Sequence, residues 1–124
     1  MARKTRAELA AEREAAEAAR LLALAEAYPA RLMAVLERAT KENFELTVRE
    51  GLFRVEDRDG GYGRRGEAYM LTLEFTKYAD STLDSLEWDV REKEEARREA
   101  ERRAMLRTTA LNKLSAEERE VLGV

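Results

Sequence analysis

Apolar side chains fall at even positions in Phe44, Leu46 and Val48 and at odd positions in Phe53 and Val55, with Gly51 between the two sets. A two-residue turn at Glu50-Gly51 puts both sets on one face of a hairpin, pairing Val48 with Phe53 and Leu46 with Val55. The opposite face then pairs Thr47 with Arg54 and Glu45 with Glu56. This fixes the register, because a one-residue slip would send every apolar side chain to the wrong face. The turn type stays open, since Glu-Gly is not the preferred type I′ pair. A third alternating run sets Tyr69, Leu71, Leu73 and Phe75 against Met70, Thr72, Glu74 and Thr76. The pattern predicts a three-stranded antiparallel meander over 44–49, 52–57 and 68–76.

Helical spacing dominates on both sides of this sheet. Thr5-x-x-Glu8 is a capping box, and a helix is predicted from it over 5–28. Its first half offers only Leu9 and alanines, while Leu21, Leu22 and Leu24 give its second half something to pack. Pro29 either kinks this helix or ends it. With a break there, a second helix covers 30–42, with Leu32, Val35, Leu36 and Ala39 on one stripe. Asp80, Ser81 and Thr82 are candidate caps for a helix over 82–107 or beyond. Leu83, Leu86 and Val90 begin its buried seam, which continues through Lys93, Arg97, Ala100 and Ala104 to Leu111 and Leu114. Between Arg91 and Arg103 nearly every residue is charged, with Glu94–Arg98 and Glu99–Arg103 at the spacing of helical ion pairs. Ser115-x-x-Glu118 is a second capping box, opening a short helix over 116–122 before Gly123. The expected fold is α+β: a three-stranded antiparallel meander flanked by long charged N- and C-terminal helices, in one domain over 1–124.

Composition narrows the chemistry. Of the 124 residues 44% are hydrophobic, many of them alanine, and 40% are charged, so the core is small and the helical surfaces are solvated. The net charge of −3, from 26 acidic and 23 basic residues, speaks against a basic footprint over the whole chain. Charge is local instead. Residues 80–95 carry seven acids against Arg91 and Lys93, whereas 96–107 carry five arginines against Glu99 and Glu101. No apolar run approaches the ~20 residues of a membrane span. The basic start is interrupted by Glu8, Glu12 and Glu14, so no secretory leader is expected there and a cytoplasmic protein is.

Cysteine and histidine are both absent. The commonest general base near neutral pH and the usual zinc ligands are therefore missing. Ser81, Ser85 and Ser115 fall at or near predicted helix starts and read as caps. Gly61-Tyr62-Gly63-Arg64-Arg65-Gly66 spells G-x-G-x-x-G, but strands flank it on both sides where the dinucleotide motif needs a following helix. No catalytic residue, metal ligand or cofactor is expected. Two surfaces remain as binding candidates. Trp88, off the 83–86–90 seam on an otherwise charged helix, reads as an interface anchor beside Asp84 and Glu87. The Gly-rich loop holding Arg58, Tyr62, Arg64 and Arg65 has the side chains to contact phosphates and stack on a base.

Lys4-Thr5-Arg6-Ala7-Glu8-Leu9, then Tyr28-Pro29-Ala30-Arg31-Leu32, and the ending Ala110-Leu111-Asn112-Lys113-Leu114-Ser115-Ala116-Glu117-Glu118-Arg119 with Leu122-Gly123 form one further signal. Together these segments resemble small accessory proteins of tailed bacteriophages and prophages. The preference for arginine over lysine suits a GC-rich bacterial or phage genome. The resemblance implies a non-enzymatic protein that binds and modulates or inhibits a host protein of defence or nucleic-acid machinery. Self-association as a homodimer is expected from the thin core and long helices. The alternative is a nucleic-acid-associated protein using the Arg/Tyr/Gly loop and the basic helix end.

Overall fold

The computed structural model describes residues 3–59 and 68–123. Three strands, β1 (Phe44–Arg49), β2 (Leu52–Asp57) and β3 (Ala68–Thr72), form an antiparallel sheet in the order β1-β2-β3. The register is the one the alternation predicts: Val48 faces Phe53, Leu46 faces Val55, Thr47 faces Arg54 and Glu45 faces Glu56. Glu50 and Gly51 both have positive φ, 49° and 75°, which settles the turn as the I′ type that matches strand twist. Glutamate thus occupies a left-handed position that glycine or asparagine fills at lower cost.

The described residues also form three helices: α1 (Arg6–Lys41), α2 (Lys77–Asn112) and α3 (Ala116–Leu122). The sheet flanked by N- and C-terminal helices makes the fold α+β. Thr5 caps α1 through the reciprocal bonds of the capping box with Glu8. Of the kink and the break left open at Pro29, the break, with helices at 5–28 and 30–42, does not occur, and α1 runs through it unbroken. Proline there removes one backbone hydrogen bond and costs about 3 kcal/mol. Tyr28 and Leu32, both fully buried on either side of it, each contribute about 1.5–3 kcal/mol and hold the helix together. Past the end of α1, Asn43 takes a left-handed φ of 67° and the chain turns directly into β1. Its amide donates to Asp59 at 2.9 Å, and its carbonyl accepts from the Arg58 N–H at 3.3 Å, tying the far end of the hairpin to the helix.

The third strand and the second long helix also differ from expectation. β3 ends at Thr72 instead of 76, and α2 begins at Lys77 instead of 82. The Thr72 hydroxyl donates to the Glu74 carbonyl at 2.9 Å, turning the chain out of the sheet. Thr76, not Asp80, Ser81 or Thr82, caps the helix: its hydroxyl accepts from the Ala79 N–H at 2.9 Å. Thr82 and Ser85 lie inside α2 and donate back to the carbonyls of Tyr78 and Ser81.

By backbone contacts the chain divides into two compact units, Met1–Val90 and Arg91–Val124, with α2 running through both. In the first unit one core joins Tyr28, Leu32, Val35, Leu36 and Ala39 of α1 to Phe44, Val55 and Leu71 of the sheet and to Ala79, Leu83, Leu86 and Val90 of α2. Tyr28 locks its centre. Its hydroxyl donates to the Thr72 carbonyl at 2.6 Å, and Phe75 meets its ring edge-to-face with centroids 5.7 Å apart. Burial raises the Tyr28 phenol above its ordinary pKa. In the second unit none of the described residues is buried. Ser115 and Glu118 form the predicted capping box of α3. Arg119 donates twice to the Leu111 carbonyl, at 2.9 and 2.6 Å, and so satisfies a carbonyl at the end of α2. No helix among the described residues is long and apolar enough to cross a membrane.

Candidate protein-binding surface

The first half of α2 presents two different faces. Leu83, Leu86 and Val90 are fully buried in the core, which fixes the helix in place. Tyr78, Ser81, Ser85 and Trp88 recur at helical spacing on the outward side, and all four are exposed. Trp88 is 56% exposed and Tyr78 is 77% exposed. The ten-residue step between the two aromatics spans about 15 Å along the helix. The hydroxyls of Thr82 and Ser85 are occupied by bonds to their own helix, so the stripe offers aromatic surface more than hydrogen bonding.

Beside this stripe lies a charged clamp. The Arg31 guanidinium of α1 reaches three carboxylates of α2: it bonds Asp80 at 2.9 Å, Glu87 at 3.1 Å and also Asp84. The three acids sit at i, i+4 and i+7, on one face of the helix. Burial acts to lower the Arg31 pKa, but hydrogen bonds to Asp84 and Glu87 outweigh it and hold the group above its ordinary value. Arg20 of α1 also acts on Asp80, and of the three carboxylates Asp84 is the most exposed. Asp84 lies one turn before Trp88, and its side chain stays 64% exposed despite the bond.

Sequence reasoning named Trp88, Asp84, Glu87, Arg58, Tyr62, Arg64 and Arg65. Trp88, Asp84 and Glu87 lie within two turns of one another on α2, although Glu87 is mostly covered in the clamp. Arg58 stands apart, just past β2, with its Nε 4.0 Å from a Glu45 oxygen. Tyr62, Arg64 and Arg65, and with them the G-x-G-x-x-G string, lie outside the described residues. Two members of the surface were missed. Tyr78 falls in the gap between the strand predicted over 68–76 and the helix predicted from 82, whereas α2 begins at Lys77 and carries it. Arg31 was read only as part of a helix. The spacing of Asp80, Asp84 and Glu87 was the signal that could have found the clamp, since a face with three carboxylates that also borders a core calls for a cation.

The basic stretch of α2 is largely paired within its own helix. Glu99 accepts from Arg102 at 3.0 and 2.6 Å and from Arg103 at 3.1 Å, and Arg97 donates to Glu101 at 3.1 Å. The hydrogen bond from Arg102, reinforced by Arg103, lowers the Glu99 carboxyl to about 2. Among the described residues no group of three or more acids is placed to hold a metal ion. Comparison with protein-family models, with curated proteins and with solved structures finds no match to this chain.

Proposed function

We propose that this chain is a non-enzymatic accessory protein, of the phage or prophage kind its termini resemble, that binds and modulates a host protein through the outward face of α2. The observation that carries this reading is Trp88, left 56% exposed on a helix whose opposite face is fully buried. A tryptophan on an immobile helix offers a large contact area at little further cost in entropy, as interface anchors do. Tyr78 adds a second exposed aromatic, and the exposed Asp84 carboxylate beside Trp88 selects the partner. The fitting surface has an apolar pocket rimmed by lysine or arginine. Self-association as a homodimer belongs to the same reading.

The test is a pull-down from nuclease-treated bacterial lysate with the wild-type chain and with Trp88→Ala, analysed by mass spectrometry. One stoichiometric protein, retained by wild type and lost by the variant, is the expected result. A partner held equally by both would overturn the role of this face. The nucleic-acid reading uses Arg58, Tyr62, Arg64 and Arg65 with the basic helix end, where Arg98 and Arg107 have no ion pair among the described residues. It predicts that every bound species disappears after nuclease and that binding falls steeply with salt.

A further inference from the structure

Both long helices carry an arm that contributes nothing buried to the core: residues 6–27 of α1 and 91–112 of α2. Each arm is about 22 residues, or about 33 Å at the helical rise. Their charges are opposite. The α1 arm holds three arginines against five glutamates, and the α2 arm holds seven bases against five glutamates.

The distribution around each helix is sharper than the totals. At 100° per residue, Ala11, Ala15, Ala18 and Leu22 form one face of the α1 arm. Glu8, Glu12, Glu14 and Glu26 flank it, while Arg6, Arg13 and Arg20 fall on the opposite side. Every one of these residues is exposed. On the α2 arm, Ala96, Ala100 and Ala104 lie on a face shared with Lys93, Arg97, Arg103 and Arg107, with Glu92, Glu99 and Glu101 at its margins. The alanines and cations of this face are exposed except the half-buried Lys93. One arm thus presents four carboxylates beside small apolar residues, and the other four cations beside small apolar residues. Pairing either face with its own kind would oppose like charges.

We propose that two copies of this chain associate through these faces, the acidic face of the α1 arm in each copy lying against the basic face of the α2 arm in the other. The reciprocal contact closes about a two-fold axis, as the commonest homo-oligomers do. The inference rests on the self-association stated above and names the surfaces that carry it. The outward face at Tyr78 and Trp88 is not used. The pairs Lys4–Glu12, Arg97–Glu101 and Arg103–Glu99 already engage some of these groups, but such exposed pairs are weak and exchange for partners across an interface at little cost.

Sedimentation equilibrium on the full chain tests this, with helix content followed by circular dichroism. Three proteins are compared with wild type: Glu12→Lys/Glu14→Lys/Glu26→Lys, Arg97→Glu/Arg103→Glu/Arg107→Glu, and the six changes combined. Wild type is expected at twice 14.2 kDa. Its dissociation constant should rise with salt. Each triple variant should weaken the dimer by about a hundredfold or more at unchanged helix content, and the combined variant should restore it to within about tenfold of wild type. A dimer that survives both triple variants, is indifferent to salt, or is not restored in the combined variant overturns the arm pairing but leaves self-association standing. A ladder of larger masses overturns the two-fold closure. A wild-type chain monomeric at every concentration overturns both, and leaves the Trp88 surface to be judged by its own pull-down.

Discussion

The two halves of each long helix are held by different forces. In α1 the stretch from Tyr28 to Ala39 buries five side chains, and in α2 the stretch from Ala79 to Val90 buries four. The arms that continue these helices bury none. The inner halves contain leucine, valine and tyrosine at core spacing, and burial of those side chains stabilises them. The arms consist mainly of alanine, glutamate and arginine, residues of high intrinsic helix propensity; the α1 arm begins at the Thr5 capping box, and Arg119 satisfies a carbonyl near the end of the α2 arm. One region is helical because it is packed. The other rests on intrinsic propensity and local ion pairs, and none of its described residues is buried.

Truncating a packed leucine separates the two regimes most sharply. Leu83→Ala should cost about 2–5 kcal/mol in urea denaturation, through lost burial and the cavity left behind. Leu106→Ala, on the exposed face of the α2 arm, should stay within about 0.5 kcal/mol at concentrations where the chain is monomeric. Comparable losses at both sites would mean that the arm is packed in solution and that the contrast is wrong.

The next largest effect is expected at the clamp. Arg31→Ala removes the cation shared by Asp80, Asp84 and Glu87 and leaves three carboxylates facing one another. A loss of about 1–3 kcal/mol is expected, since Arg31 is only 27% exposed and its bonds are charge-assisted. Thermal melts should show it, and added salt should reduce the loss by screening the repulsion of the three acids in the variant. Indifference to the substitution would assign all of the helix–helix stability to the leucines.

What could be read from the sequence followed the same division. The strand register was legible because a period of two leaves no freedom once Gly51 sets the turn. The helix stripes at Leu32, Val35, Leu36 and Ala39 and at Leu83, Leu86 and Val90 were legible because each faces one core. Pro29 misled because its local cost is visible in the sequence, while the burial of Tyr28 and Leu32 that offsets it depends on distant β3 and α2. Leu73 and Phe75 misled in the other direction. They continue the alternation of the strand, yet Leu73 is exposed and Phe75 turns to meet Tyr28. The Arg31 clamp joins residues some fifty positions apart, and no local pattern names the arginine that closes it. At the loop, Tyr62, Arg64 and Arg65 lie outside the described residues, so their part in any site rests on residue type alone.

A smaller effect, of either sign, is expected at the hairpin that carries the buried sheet face. Gly51→Ala places a Cβ at a φ of 75°, where the strain is about 1–2 kcal/mol although nothing crowds the site. Glu50→Asn makes the turn Asn-Gly, the preferred I′ pair, and should raise stability by about 0.5–1 kcal/mol. Chemical denaturation should show a shifted midpoint in each case and an unchanged slope.

The smallest expected effect lies in the α2 arm, where stability comes from local pairs. Glu99 has a folded-state pKa of about 2, below the ordinary 4.5, because Arg102 and then Arg103 hydrogen-bond its ionised form. A depressed carboxyl contributes stability that is complete above its unfolded pKa and is lost as pH falls toward the folded one. Helix order around residues 95–105 should therefore weaken between about pH 4.5 and pH 2. Amide chemical shifts from NMR would show this residue by residue, and Glu99→Gln should flatten the titration at Arg102 and Arg103. If the Glu99 carboxyl instead titrates at its ordinary pKa, the arginine pairs are not held in solution. The arm would then rest on alanine propensity alone, and Arg103 would be as open to an incoming acidic helix as Arg107 is.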